Sequence, residues 1–166
     1  MKTLMMSRNA LSRLDPGVFT ETTSLKKLVL NFNYFSKFPK KALGELTKLQ
    51  ILQMTDNQLT SLSKDDLAPL VHLQEVSFAR NLLSSVAPKL FQPATKIAKI
   101  DLIGNSLSTL EPLEGIVLKD TKLSLENNTF SCDCDLLNLY TWLKSEGGKT
   151  IECSAPEKFG GLFPGF

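Results

Sequence analysis

Few residues in this chain could do chemistry. A catalytic site needs a nucleophile, a base and a group that orients the base, all within reach of one another. The sequence holds one histidine, His72, and one imidazole leaves the acid–base repertoire thin. Asp65 and Asp66 form a carboxylate pair, but within Lys-Asp-Asp they read as charges at a turn or helix start. No glycine-rich phosphate loop is present. Three cysteines, Cys132, Cys134 and Cys153, all fall in the last 35 residues. A zinc site would want Cys-x-x-Cys pairs or nearby histidines, so disulfides fit better and point to an oxidising compartment. Asn127-Asn128-Thr129 is an N-glycosylation acceptor on Asn127. Catalytic, metal and cofactor chemistry are therefore not expected. Binding is.

The partner class is narrowed by charge. The 166 residues carry 19 Lys and Arg against 17 Asp and Glu, a formal charge of +2. That balance implies neither nucleic acid nor an anionic membrane as partner. Lys26-Lys27 and Lys40-Lys41 read as solvated basic pairs. No run of 18 apolar residues could cross a bilayer, and MKTLMMSRNA lacks the apolar core and cleavage site of a secretory signal. With 42% hydrophobic residues the composition suits a folded domain.

The elements that would present a binding surface emerge when the sequence is cut every 24 residues. The first position of five successive blocks is Met1, Leu25, Leu49, Leu73 and Ile97. The fourth is Leu4, Leu28, Leu52, Val76 and Ile100, and the sixth Met6, Leu30, Met54, Phe78 and Leu102. The ninth is always asparagine: Asn9, Asn33, Asn57, Asn81 and Asn105. The eleventh (Leu11, Phe35, Leu59, Leu83, Leu107) and fourteenth (Leu14, Phe38, Leu62, Val86, Leu110) are apolar too. The fifth block is one residue shorter, and a partial sixth, from Asp120, keeps Leu123, Leu125, Asn128 and Phe130.

Positions four and six are two apart, so in a short strand both enter the core while positions three, five and seven face outward. At position nine the chain must leave the strand. An amide that both donates and accepts can satisfy the backbone groups stranded there. Phe19, Leu43, Leu67 and Phe91 should fill the back of each coil. Strands are expected at 3–6, 27–30, 51–54, 75–78, 99–102 and 122–125, side by side and parallel. One coil cannot bury its own apolar side, so stability must come from stacking.

This pattern, L-x-x-L-x-L-x-x-N-x-L, resembles the leucine-rich-repeat family over residues 1–130. The resemblance implies an α/β fold: a right-handed solenoid with a parallel concave sheet. The 24-residue length, with Asp15-Pro16-Gly17-Val18-Phe19, is similar to the extracellular type from which Toll-like receptors, Slit and the Nogo receptor are built. Residues 131–166 resemble the cysteine-rich C-terminal flanking module of those proteins, through Cys132-x-Cys134, Trp142-Leu143 and Cys153-x-x-Pro156. Leu136, Leu139, Tyr140 and Leu143 recur at helical spacing ahead of Gly147-Gly148. The module implies a Cys132–Cys153 disulfide, with Cys134 left for a fourth cysteine that this sequence lacks; Cys134–Cys153 remains open on spacing. The first coil opens on a consensus position and the flanking module lacks its last cysteine, so the expectation is a piece of a longer secreted or cell-surface protein.

Such a protein would take a protein ligand on the outward positions of its strands. Val29, Gln53 and Asp101 stand at position five; Phe32, Asp56 and Arg80 stand at position eight. Phe32 lies between Arg8 and Asp56, with Arg80 one strand on, an aromatic among alternating charges. These six residues are the candidate ligand-binding set. A structural or matrix role by self-association, as a homo-oligomer, is the alternative.

Overall fold

The computed structural model describes residues 2–131 and 137–145. Six short strands form one sheet: β1 (Thr3–Met5), β2 (Lys27–Val29), β3 (Ile51–Gln53), β5 (Glu75–Ser77), β7 (Lys99–Asp101) and β8 (Lys122–Ser124). They lie in that order, every neighbour parallel. The register is the repeat itself, with Leu4, Leu28, Leu52, Val76, Ile100 and Leu123 in one row across the sheet. Each strand ends one residue earlier than its hydrophobic pattern suggests, because position six already belongs to the bend.

The rest of each coil is mostly turn. Two further strands, β4 (Ser61–Leu62) and β6 (Ser85–Val86), pair parallel on the far side of the core. A two-residue ladder of this kind leaves no periodic trace of its own. The only helical pieces among the described residues are a 3-10 turn at Thr20–Thr22, α1 (Lys40–Leu43) and α2 (Leu137–Ser145). Glu45 ties one coil to the last: its carboxylate accepts from the Gly17 and Phe19 amides at 2.8 and 3.1 Å. Gly17 there has φ of +87°, a conformation glycine adopts freely.

Between the sheet and the turns runs a single apolar core. Leu25, Leu28, Leu30, Leu49, Leu52, Met54 and Phe78 are all without solvent exposure. Phe19, Leu43, Leu67 and Phe91 close it from behind. Phe38 meets Phe78 edge to face, ring centres 6.2 Å apart, a favourable geometry for two aromatic quadrupoles. In α2, Leu139 and Leu143 join this core and Trp142 packs partly buried against it, which accounts for their helical spacing. Cys132, Cys134, Leu136, Gly147-Gly148, Cys153 and Pro156 lie outside the described residues, and with them the disulfide pairing and the cysteine-rich cap.

Candidate functional site

The outward surface is shaped by the bend that ends each strand. Position eight adopts positive φ in every coil: Arg8 (57°), Phe32 (56°), Asp56 (55°), Arg80 (51°), Gly104 (67°) and Asn127 (57°). The amide at this position donates to the position-seven carbonyl of the next coil, as in Phe32 N–H to Thr55 O at 3.0 Å and Asp56 N–H to Ala79 O at 3.0 Å. The left-handed turn then swings the following asparagine inward.

Those asparagines are the internal frame. The Asn81 side-chain amide donates to Met54 O and Phe78 O, both at 2.9 Å, and its oxygen accepts from Leu59 N–H at 3.0 Å. Asn33, Asn57 and Asn105 repeat that arrangement and are buried with it. Asn128 does so partly exposed. Asn9 is exposed and bonds only within its own coil, to Met6 O and Ser7 O. No buried side-chain nitrogen or oxygen is left without a partner among the described residues.

The parallel sheet and its strictly repeated coils match the pattern of known repeats. Residues 23–81 match the family model described as leucine rich repeat. That match and the six-stranded parallel sheet support a leucine-rich-repeat fold. Leucine-rich repeats generally mediate protein–protein interaction, and the fold is typically non-enzymatic. A comparison with curated proteins gives no match.

On this parallel sheet the sequence-derived candidates differ in how far their neighbours occupy them. Phe32 stands 45% exposed, with the Arg8 guanidinium 5.1 Å above its ring centre. Such a cation–π contact fixes the ring and leaves its other face open. Asp56 and Arg80 form a bidentate pair, Arg80 Nε to Oδ1 at 2.8 Å and Nη2 to Oδ2 at 2.7 Å. The hydrogen bonds from Arg80 hold the Asp56 carboxyl below the usual carboxylate range, and Asp56 raises Arg80 in return. Asp101 is occupied by its neighbours, its Oδ2 accepting from Ser77 Oγ at 2.9 Å and its Oδ1 from Ile103 N–H at 3.2 Å. Gln53 is half-buried in β3.

Val29 departs from the sequence reading. It points outward from β2 as its alternation requires, yet it is only 6% exposed. Met5 and Gln53, its register partners, flank it in a concave row where neighbours cover a small side chain. Two exposed apolar residues were missed instead. Tyr34 and Leu82 stand at position ten, 56% and 54% exposed, just past the inward asparagine. The signal for them was an apolar residue at a repeat position elsewhere held by Ala10, Gln58 and Ser106.

The enzymatic candidates stay apart. His72 is exposed and its Nδ1 lies 2.9 Å from Thr47 O. Asp66 accepts from Ser63 N–H at 2.8 Å, capping a turn, while Asp65 faces Lys40 at 4.0 Å. No cluster of metal-ligating side chains occurs among the described residues.

Proposed function

We propose that the chain is the protein-binding part of a secreted or cell-surface protein, a receptor or a recognition or adhesion molecule, and that its ligand docks on the concave face around Phe32. One observation carries this reading. A bulky aromatic at φ of +56° is a strained choice, since positive φ costs an L-residue about 1–2 kcal/mol. Gly104, Asn127 and Asp56 fill the same turn with types that tolerate it, whereas Arg8 and Arg80 share the strain of Phe32 without presenting an apolar surface. Strain held at an exposed aromatic is accounted for by a contact made outside the chain. Arg8 braces the ring against one side, and Met5 and Tyr34 widen the apolar surface. The partner that fits presents an apolar side chain to Phe32 and a carboxylate to Arg8.

The extracellular part of this proposal is supported by the cysteine pattern and by Asn127. That residue is exposed and sits on the same position-eight row, so a glycan there would crowd the C-terminal end of the face and leave the Phe32 end clear. A panel of secreted and cell-surface ectodomains, screened with the wild type and Phe32→Ala in parallel, tests the reading. A true ligand should lose about 2 kcal/mol of binding with Phe32→Ala while the protein stays folded. Ligands that bind both forms equally would overturn the site. Concentration-dependent sedimentation abolished by Phe32→Ala would replace it with self-association.

A further inference from the structure

The total charge of +2 hides a segregation that the fold creates. At the leading edge of the solenoid, where the chain turns into each strand, the residues at positions 24, 2 and 3 of successive coils stack in rows. Backbone bonds fix the stacking: Lys26 N–H to Lys2 O at 2.9 Å, Gln50 N–H to Lys26 O at 2.8 Å, and so on to Lys122 N–H to Ala98 O at 2.8 Å. Lys2, Lys26, Lys27 and Lys48 gather at one end of this edge. Lys96, Lys99, Lys119 and Lys122 gather at the other. Only Glu75 and Asp120 oppose these eight lysines, a local +6, so everything else in the chain sums to −4.

Two features mark these lysines. None of the eight forms an ion pair among the described residues, a state shared by scattered cations such as Lys37, Lys41 and Lys64 but here concentrated along one edge. Moreover, Lys99 and Lys122 are direct register partners in β7 and β8, a like-charge juxtaposition that opposes folding. Neighbouring coils are about 4.8 Å apart, within the Debye length of about 8 Å at physiological salt, so the potentials add along the edge. Six coils give a straight row roughly 24 Å long at that spacing.

We infer that this edge binds a linear sulfated polysaccharide lying across the coils, at the opposite end of the strands from Phe32. The inference rests on the extracellular part of the proposed function, since such chains are met outside cells. The row contains no Phe, Tyr or Trp, its one ring being His72, so it offers little platform on which nucleic-acid bases could stack. It contains lysine and no arginine, which suits point charges along a flexible chain better than bidentate recognition of one group.

The test uses heparin as probe, with chemically desulfated heparin, single-stranded DNA and phosphatidylserine vesicles as rivals. A leading-edge variant (Lys26→Gln, Lys48→Gln, Lys96→Gln and Lys119→Gln) is compared with a variant of equal charge change elsewhere (Lys37→Gln, Lys41→Gln, Lys64→Gln and Lys89→Gln). All eight side chains are exposed, so both variants should fold. Heparin affinity should fall with rising salt, drop about tenfold or more in the leading-edge variant and change less than about threefold in the other. Equal loss in both variants, undiminished binding of desulfated chains, or tighter binding of DNA or vesicles than of heparin would each overturn the inference. Phe32→Ala should leave heparin binding intact. A ligand that needs Phe32, found alongside absent heparin binding, would end this inference and spare the concave site.

Discussion

Positions eight and nine of each coil are covalent neighbours with opposite behaviour. At position nine the same residue recurs and, from Asn33 onward, turns inward with three or four hydrogen bonds reaching into its own coil and the one before. At position eight Arg8, Phe32, Asp56, Arg80, Gly104 and Asn127 share a backbone conformation and nothing else. The backbone needs the left-handed turn, and it needs an amide inside that turn. It needs no particular side chain outside. Identity is therefore constrained where buried backbone groups would otherwise be orphaned, and free to serve binding one residue earlier.

The sharpest way to break this contrast is to remove an inward amide. Asn81→Ala would leave the Leu59 N–H without its acceptor, in a site closed to water, and would take one of two side-chain donors from the Met54 and Phe78 carbonyls, which keep Asn57 and Asn105. One buried orphan costs about 1–3 kcal/mol, so a loss of about 2–3 kcal/mol is expected by urea denaturation. Asn9→Ala should cost under about 1 kcal/mol, because Asn9 is exposed and bridges no earlier coil. Equal losses at the two positions would show that the amides act through local turn propensity and not through the inter-coil frame.

The inward frame was legible in the sequence and the outward one only partly. Leu28, Leu52 and Asn57 repeat at fixed spacing because packing and hydrogen bonding admit few substitutes, so repetition reports their burial. Position eight read as one more outward strand residue, since backbone φ leaves no hydrophobic period. The clue was chemical: Asp56, Gly104 and Asn127 at one repeat position are types that accept positive φ. Val29 looked available for binding because alternation gives direction but not the size of its neighbours. Nor did a total charge of +2 reveal the lysine edge, which exists only once the coils are stacked.

At position eight itself a pair of variants separates strain from contact. Phe32→Ala and Phe32→Gly delete the same ring, with the same loss of its packing on Arg8, but only glycine is at ease at φ of +56°. Phe32→Gly should therefore be more stable than Phe32→Ala by about 1 kcal/mol. Both should bind a concave-face ligand equally weakly. If the two variants melt together, the turn is less strained than its dihedral implies, and the argument for a functional Phe32 loses its premise.

The smallest effect is expected where position eight makes its own surface pair. The Arg80 hydrogen bonds hold the Asp56 carboxyl below its ordinary value of 3.8, so the pair stabilises the fold above that pH. Its contribution is lost as pH falls through the depressed value, when Asp56 takes up a proton. Replacing Arg80 by Gln should cost no more than about 1 kcal/mol at pH 7, because the Arg80 side chain is 58% exposed and the Asp56 side chain 21%. Urea denaturation of wild type and Arg80→Gln should then converge as the pH is lowered through the depressed value, and draw closer at pH 7 in 1 M salt, where the Debye length is about 3 Å. The inward amides carry no titrating group, so the penalty for Asn81→Ala should persist through the same pH and salt range. A gap between wild type and Arg80→Gln that stays constant with pH would mean that Arg80 stabilises by packing its stem, whose Cγ lies 3.2 Å from where a Cβ on Gly104 would sit, and not by its charge.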